Sequence, residues 1–119
     1  MSQFQLDINK GIILCRAKLL HRKKAILSKL AVDTGASLTM ISVETALAIG
    51  IDPSKSKRHM EITTANGTIL APIVQIDFFE CFGISVGGLD AICHNLPAES
   101  CVEGLLGLDF LQKAKIIIN

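Results

Sequence analysis

Apolar and polar side chains alternate from the first residues: Phe4, Leu6 and Ile8 are separated by single polar positions, and Cys15, Ala17 and Leu19 are set against Arg16 and Lys18. A period of two places successive side chains on opposite faces, so strands are expected at 4–8 and 12–20. The polar stretch His21, Arg22, Lys23, Lys24 reads as a turn, and 25–32 is almost continuously apolar, so the two runs form a hairpin whose second strand ends buried. Residues 38–41 resume a strand. Ser42 is a suitable N-cap for a short helix over 43–49, with Gly50 as its left-handed stop and Pro53 closing the loop that follows. Asn66-Gly67 between the β-forming runs 59–65 and 68–71 is a strong hairpin signal. Further strands are expected at 73–79 and 84–92, with Gly83, Gly87 and Gly88 as turns or bulges. An apolar stretch at 104–111 leads into a second short helix, and 115–119 reads as a last strand. Seven or more short strands with two small helices predict an all-β fold, a small, partly closed barrel or a sandwich. A buried strand running into a loop and a helix occurs twice, around Asp33 and around Gly107, an echo of two related halves.

The chain has 119 residues, half of them apolar and 19% charged, with a mean hydropathy of +0.47. That is enough apolar material for one core and too little for two, so 1–119 reads as a single domain. The longest apolar runs, at 12–15, 69–74 and 116–118, are far too short to cross a bilayer. The first residues carry no basic, then apolar, leader pattern, so the expected address is cytoplasmic. Cys15, Cys81, Cys93 and Cys101 are scattered, without a Cys-x-x-Cys pair or a histidine at ligand spacing. They read as reduced thiols acting as small hydrophobes, and no metal or organic cofactor is expected. Ten of the twelve basic residues fall within 1–58, and seven of the eleven acidic residues within 59–119. Arg16, Lys18, Arg22, Lys23, Lys24 and Lys29 form a basic cluster, readable as a nucleic-acid contact or as a solvated hairpin whose lysines discourage edge pairing. The chain has five phenylalanines and no tryptophan or tyrosine, and the cluster has no aromatic side chains between its cations; both argue against nucleic acid.

The buried strand at 25–32 ends abruptly in Asp33-Thr34-Gly35-Ala36-Ser37. A carboxylate there is desolvated unless it is hydrogen-bonded or shares a proton. One reading is an Asx turn, with Asp33 capping the backbone two residues on and Gly35 supplying a positive φ. The other is a catalytic loop. The later segment Gly104-Leu105-Leu106-Gly107-Leu108-Asp109-Phe110-Leu111, and a glycine-tipped hairpin between the two, favour the second.

In this order of segments the sequence resembles the retropepsin-like aspartic proteases, over nearly its whole length. The resemblance implies a one-domain acid-protease barrel that works as a homodimer. It makes Asp33, Thr34 and Gly35 catalytic, with Ala36, Ser37, Ala65, Asn66 and Gly67 contacting a peptide or protein substrate. The hairpin at 65–67 would be the flap and 105–111 the hydrophobic-hydrophobic-Gly segment with its helix, Asp109 starting that helix. The single Asp-Thr-Gly implies that a second chain supplies the other carboxylate. The terminal segments 4–8 and 115–119, unpaired in one chain, would form a sheet between subunits. Ala31, Ile62, Ala71, Ile73 and Leu108 are candidates for an apolar pocket lining. The alternative is a non-catalytic dimerisation or peptide-binding module of the same fold, since a cleft and a hairpin can bind extended peptides without turnover.

Overall fold

The computed structural model describes residues 3–4, 12–64 and 66–118. Its elements are β1 (Gln3–Phe4), β2 (Leu14–His21), β3 (Lys24–Val32), β4 (Met40–Ile41), α1 (Val43–Ala48), β5 (His59–Thr64), β6 (Gly67–Cys81), β7 (Ile84–Cys93), β8 (Gly104–Leu106), α2 (Leu108–Lys113) and β9 (Ile117–Ile118). A single 3-10 turn, Pro53–Lys55, lies between α1 and β5. The fold is all-β with two short helices, as the alternation implies. Among the described residues no helix is long and apolar enough to cross a membrane.

The main sheet runs β2-β3-β8-β4-β7-β6-β5, and β2 also pairs with β6, placing Lys18, Leu19 and Leu20 opposite Glu80, Phe79 and Phe78. That extra pairing closes six strands into a barrel and leaves β5 outside it, as the outer strand of a hairpin with β6. The expected alternation sets the inward face: Cys15, Ala17 and Leu19 are buried while Arg16 and Lys18 are exposed. Inside, Leu19, Leu30, Ile41, Ile76, Phe79, Leu89, Leu106 and Phe110 are fully buried. The Phe79 and Phe110 rings meet at 5.3 Å and 57°, an inclined contact of the kind aromatic quadrupoles favour, and it fastens α2 to the barrel.

The β2–β3 turn has only two residues, Arg22 and Lys23. Such a turn needs positive φ, which Arg22 adopts at 57°. Asp77 compensates by accepting the Arg22 N–H at 2.8 Å, with His21 Nδ1 3.4 Å from its other oxygen. Helix α1 starts at Ser42, whose hydroxyl accepts the Thr45 N–H at 3.0 Å, and stops at Gly50, with φ 83°, as its caps predict.

Two expectations fail. Residues 68–71 and 73–79 are parts of one strand, β6, which continues through Pro72. Proline is tolerated because β6 changes partner there: its residues up to Pro72 pair with β5, and those from Ile73 onward pair with β7. The terminal strands are not unpaired in one chain. β1 and β9 pair in parallel, Gln3 with Ile117 and Phe4 with Ile118. Alternation fixes which face a strand shows but not which strand lies beside it. Residues 5–8 and Asn119, included in the two expected strands, lie outside the described residues.

Of the four free thiols, Cys15, Cys81 and Cys93 are buried and Cys101 is exposed. Burial pushes the Cys93 thiol up to about 11. Cys81 is pushed up as well, by the adjoining Cys15 thiol and then by burial. The hydrogen bond with Cys81 draws the Cys15 thiol the other way, downward, so its protection rests on burial alone. Since a reagent must reach the sulfur, titration of the native protein with an aromatic disulfide should consume Cys101 alone, and all four thiols once unfolded. Comparable rates for a second thiol would mean that the core opens far more readily than its packing implies.

Candidate active site

β3 and β8 run parallel, with Leu30, Ala31 and Val32 beside Gly104, Leu105 and Leu106. Each then leaves the barrel through a loop, and the two loops are zipped together. The Asp33 N–H donates to the Leu106 carbonyl at 2.9 Å, the Leu108 N–H to the Ala36 carbonyl at 2.8 Å and the Asp109 N–H to the Ser37 carbonyl at 3.2 Å. Below them Thr39, with no exposed surface, donates from its N–H at 3.0 Å and from its hydroxyl at 2.8 Å to Asp109 Oδ1. The same hydroxyl accepts the Gly107 N–H at 3.1 Å. Asp109 Oδ1 also accepts the Phe110 N–H at 2.8 Å; the residue lies in the first turn of α2, whose N-cap is Gly107 and not Asp109, and its carboxylate clamps the opposite loop. The sequence carried one signal for that clamp: a threonine in the otherwise apolar stretch 38–41, whose buried hydroxyl needs a partner.

Asp33 is half-buried at the end of β3, and its Oδ1 accepts the Gly35 N–H at 2.9 Å. Ala36 N–H closes the turn on the Asp33 carbonyl at 3.1 Å. The Asx geometry is therefore present, and it is compatible with either reading of the triplet. Gly35 is not left-handed. Its lack of a side chain matters for a different reason: a Cβ there would stand 3.2 Å from Asp33 Oδ1 and crowd the carboxylate. Thr34, Gly35 and Ser37 are exposed and Ala36 is half-buried.

The β5–β6 hairpin turns at Asn66, with Gly67 at φ 113°. Thr64 organises the tip, its hydroxyl donating to the Gly67 carbonyl at 2.9 Å and accepting the Asn66 N–H at 3.2 Å. Ala65 lies outside the described residues. At the base of the hairpin, Arg58 grips Asp90 on β7 with both guanidinium nitrogens, at 2.9 and 2.8 Å. Those hydrogen bonds hold the Asp90 carboxyl below its usual range.

Under the hairpin lies a cleft of about 670 Å³, walled by Met40, Ile62, Ile69, Leu105, His94 and Pro97, with Asn66 at the tip side. Its wall is largely aliphatic. Of the expected lining residues it includes Ile62. Ala31 and Ala71 are packed into the core, at 7% and 1% exposure, while Ile73 and Leu108 are half-buried outside the cleft. The side formed by the loop 94–97 was not legible in the sequence, because an irregular segment carries no periodic signal. None of residues 33–37 lines the cleft, although Leu105 on its wall is paired with Ala31, two residues before Asp33. Among the described residues no group of three His, Cys, Asp or Glu side chains could hold a metal ion.

Over residues 27–113 the sequence matches the family described as "gag-polyprotein putative aspartyl protease". Among solved structures the fold is similar to that of a retropepsin-like aspartic protease from Rickettsia conorii, with a TM-score of 0.67 and 24% identity over 87% of this chain and 73% of that one. At that identity the likeness bears on the fold alone. No curated protein matches the sequence. With most of its length inside the family match and its six-stranded barrel like that of the Rickettsia protein, the chain belongs to the gag-type aspartyl proteases and has the retropepsin-like fold.

Proposed function

We propose that the protein is an aspartic endopeptidase whose active site forms between two copies of the chain, each giving one Asp33. The observation that carries this reading is the Asp33-Thr34-Gly35 loop, placed at the end of a buried strand and zipped to the loop before α2, in a chain with one such triplet. Two Asp33 carboxylates brought together cannot both ionise at low dielectric, so the pair shares a proton. The ionised one takes a proton from water as the water attacks the peptide carbonyl. The protonated one donates a hydrogen bond to the carbonyl oxygen, and the leaving amine is protonated when the tetrahedral intermediate collapses. Thr34 holds the two loops together across the twofold axis, and Gly35, Ala36 and Ser37 give the substrate backbone close access to the carboxylates.

The β5–β6 hairpin serves as the flap. Ala65, Asn66 and Gly67 cover the bound peptide and exclude water, and the aliphatic cleft beneath takes apolar side chains. The β1–β9 ribbon supports pairing of chains, because among the described residues each strand has one neighbour and an outer edge left for another copy. A sheet made of such short strands gives a weak dimer.

Digestion of a peptide library across acidic to neutral pH, over a range of protein concentrations, tests the reading. Specific activity should rise with concentration in the dilute range and level off where sedimentation shows the dimer. Removing residues 116–119 should abolish activity while keeping most of the β-structure. A strict monomer that cleaves peptides would overturn the shared-carboxylate mechanism, and a dimer inert at every pH would leave a peptide-binding module.

A further inference from the structure

The β2–β3 hairpin and the adjoining strand β6 show a second face to solvent, well away from the Asp33 loop. Directly opposed residues on neighbouring strands share a face. The register therefore sets Ala25, Leu20 and Phe78 in one row, Leu27, Lys18 and Glu80 in the next, and Lys29 beside Arg16 in a third. Leu27 is 61% exposed and Phe78 53%, whereas Ala17 and Leu19 on the inward face of β2 are completely covered. Two large apolar side chains thus project between two sets of cations. Arg16, Lys18 and Lys29 lie on one side, and the turn residues Arg22 and Lys23 on the other. The acids nearby are Glu80, opposite Lys18; Asp77, engaged by the Arg22 N–H; and Glu103, which accepts the Lys29 N–H at 3.0 Å. The cations outnumber them. Asp33 follows the last residue of the nine-residue strand that starts at this turn, so the turn and the loop lie about 25 Å apart.

We propose that this face docks on an anionic lipid surface. Leu27 and Phe78 enter the headgroup layer while the cations on either side meet lipid phosphates and carboxylates. Charge complementarity selects an anionic occupant, and the projecting side chains select a lipid one. Nucleic acid would satisfy the cations but leave exposed leucine in water. A protein partner would need a matched pocket for each projecting side chain, where a headgroup layer needs none. The inference does not depend on the catalytic reading.

Flotation of the whole protein with phosphatidylcholine vesicles, with and without about 30% phosphatidylserine, tests it. Binding should favour the anionic vesicles by at least about tenfold and weaken as salt is raised. The double change Leu27→Ser with Phe78→Ser should weaken that binding about fivefold or more, and Lys18→Glu with Lys23→Glu should remove the preference for anionic lipid. These side chains are exposed, so circular dichroism and thermal unfolding should match the parent protein. The charge variant provides the same test if the apolar variant folds poorly. Three results would overturn the proposal: no preference for anionic vesicles, undiminished binding by the Leu27→Ser, Phe78→Ser protein, or tighter binding to a uridine-rich RNA than to the vesicles.

Discussion

Asp33→Asn is expected to lower kcat/KM for peptide hydrolysis by at least about a thousandfold, equivalent to about 4 kcal/mol of transition-state stabilisation. In a homodimer one substitution removes both carboxylates, and an amide can neither take a proton from water nor hold the shared one. The loop itself should persist, because the asparagine oxygen can still accept the Gly35 N–H that Asp33 Oδ1 accepts at 2.9 Å. The informative measurement is therefore a pair: activity on a peptide substrate, and thermal unfolding of the same preparation. Lost activity with an unchanged transition assigns the effect to chemistry. Equal cleavage by variant and parent would remove the enzyme reading.

The second large effect falls on Gly107, which touches no substrate in this reading. Its backbone, at φ −96° and ψ 179°, suits any residue, so the glycine is needed for space and not for conformation. A Cβ there would stand 2.6 Å from the Leu38 carbonyl carbon, 2.8 Å from the Leu38 oxygen and 2.9 Å from the Ala36 oxygen. All three are main-chain atoms and cannot swing aside. Gly107→Ala must therefore push the two loops apart, straining the bond from Leu108 N–H to the Ala36 carbonyl. A destabilisation of about 3 kcal/mol is expected, lowering the melting temperature on the order of 10 °C. Activity should fall further than the folded fraction does, because the same displacement moves Asp33. An ordinary melting curve would show that the loops have slack the packing does not reveal.

Local signals carried much of the architecture. The caps of α1, Ser42 and Gly50, are written in a few adjacent residues and lie where their chemistry predicts, and the Asn66-Gly67 signal located the hairpin to within one residue, Gly67 itself pairing with Thr64 at the start of β6. The alternation through Cys15, Ala17 and Leu19 identified the inward face of β2 for the same reason. Long-range contacts were not legible in this way. Thr39 and Asp109 meet across seventy positions of sequence, and nothing next to either names the other. The Asx bond at Asp33 follows from residues two apart, whereas the role of Gly35 became clear only with the carboxylate in place beside it. Pro72 misled because a proline reads as a break, and the change of partner that accommodates it is a property of the assembled sheet.

That change of partner also has a mechanical consequence. β6 is one beam, built into the barrel wall from Ile73 onward and projecting as half of the hairpin before it. The projecting arm is a cantilever whose root is pinned by the Arg58–Asp90 grip and by the bond from Ile73 N–H to the Arg58 carbonyl. Bending it beyond that root strains the β5–β6 ladder alone and spares every bond that closes the barrel. A load on the tip would therefore be resisted by the β5–β6 ladder and not by the barrel, leaving the Asp33 loop unstrained.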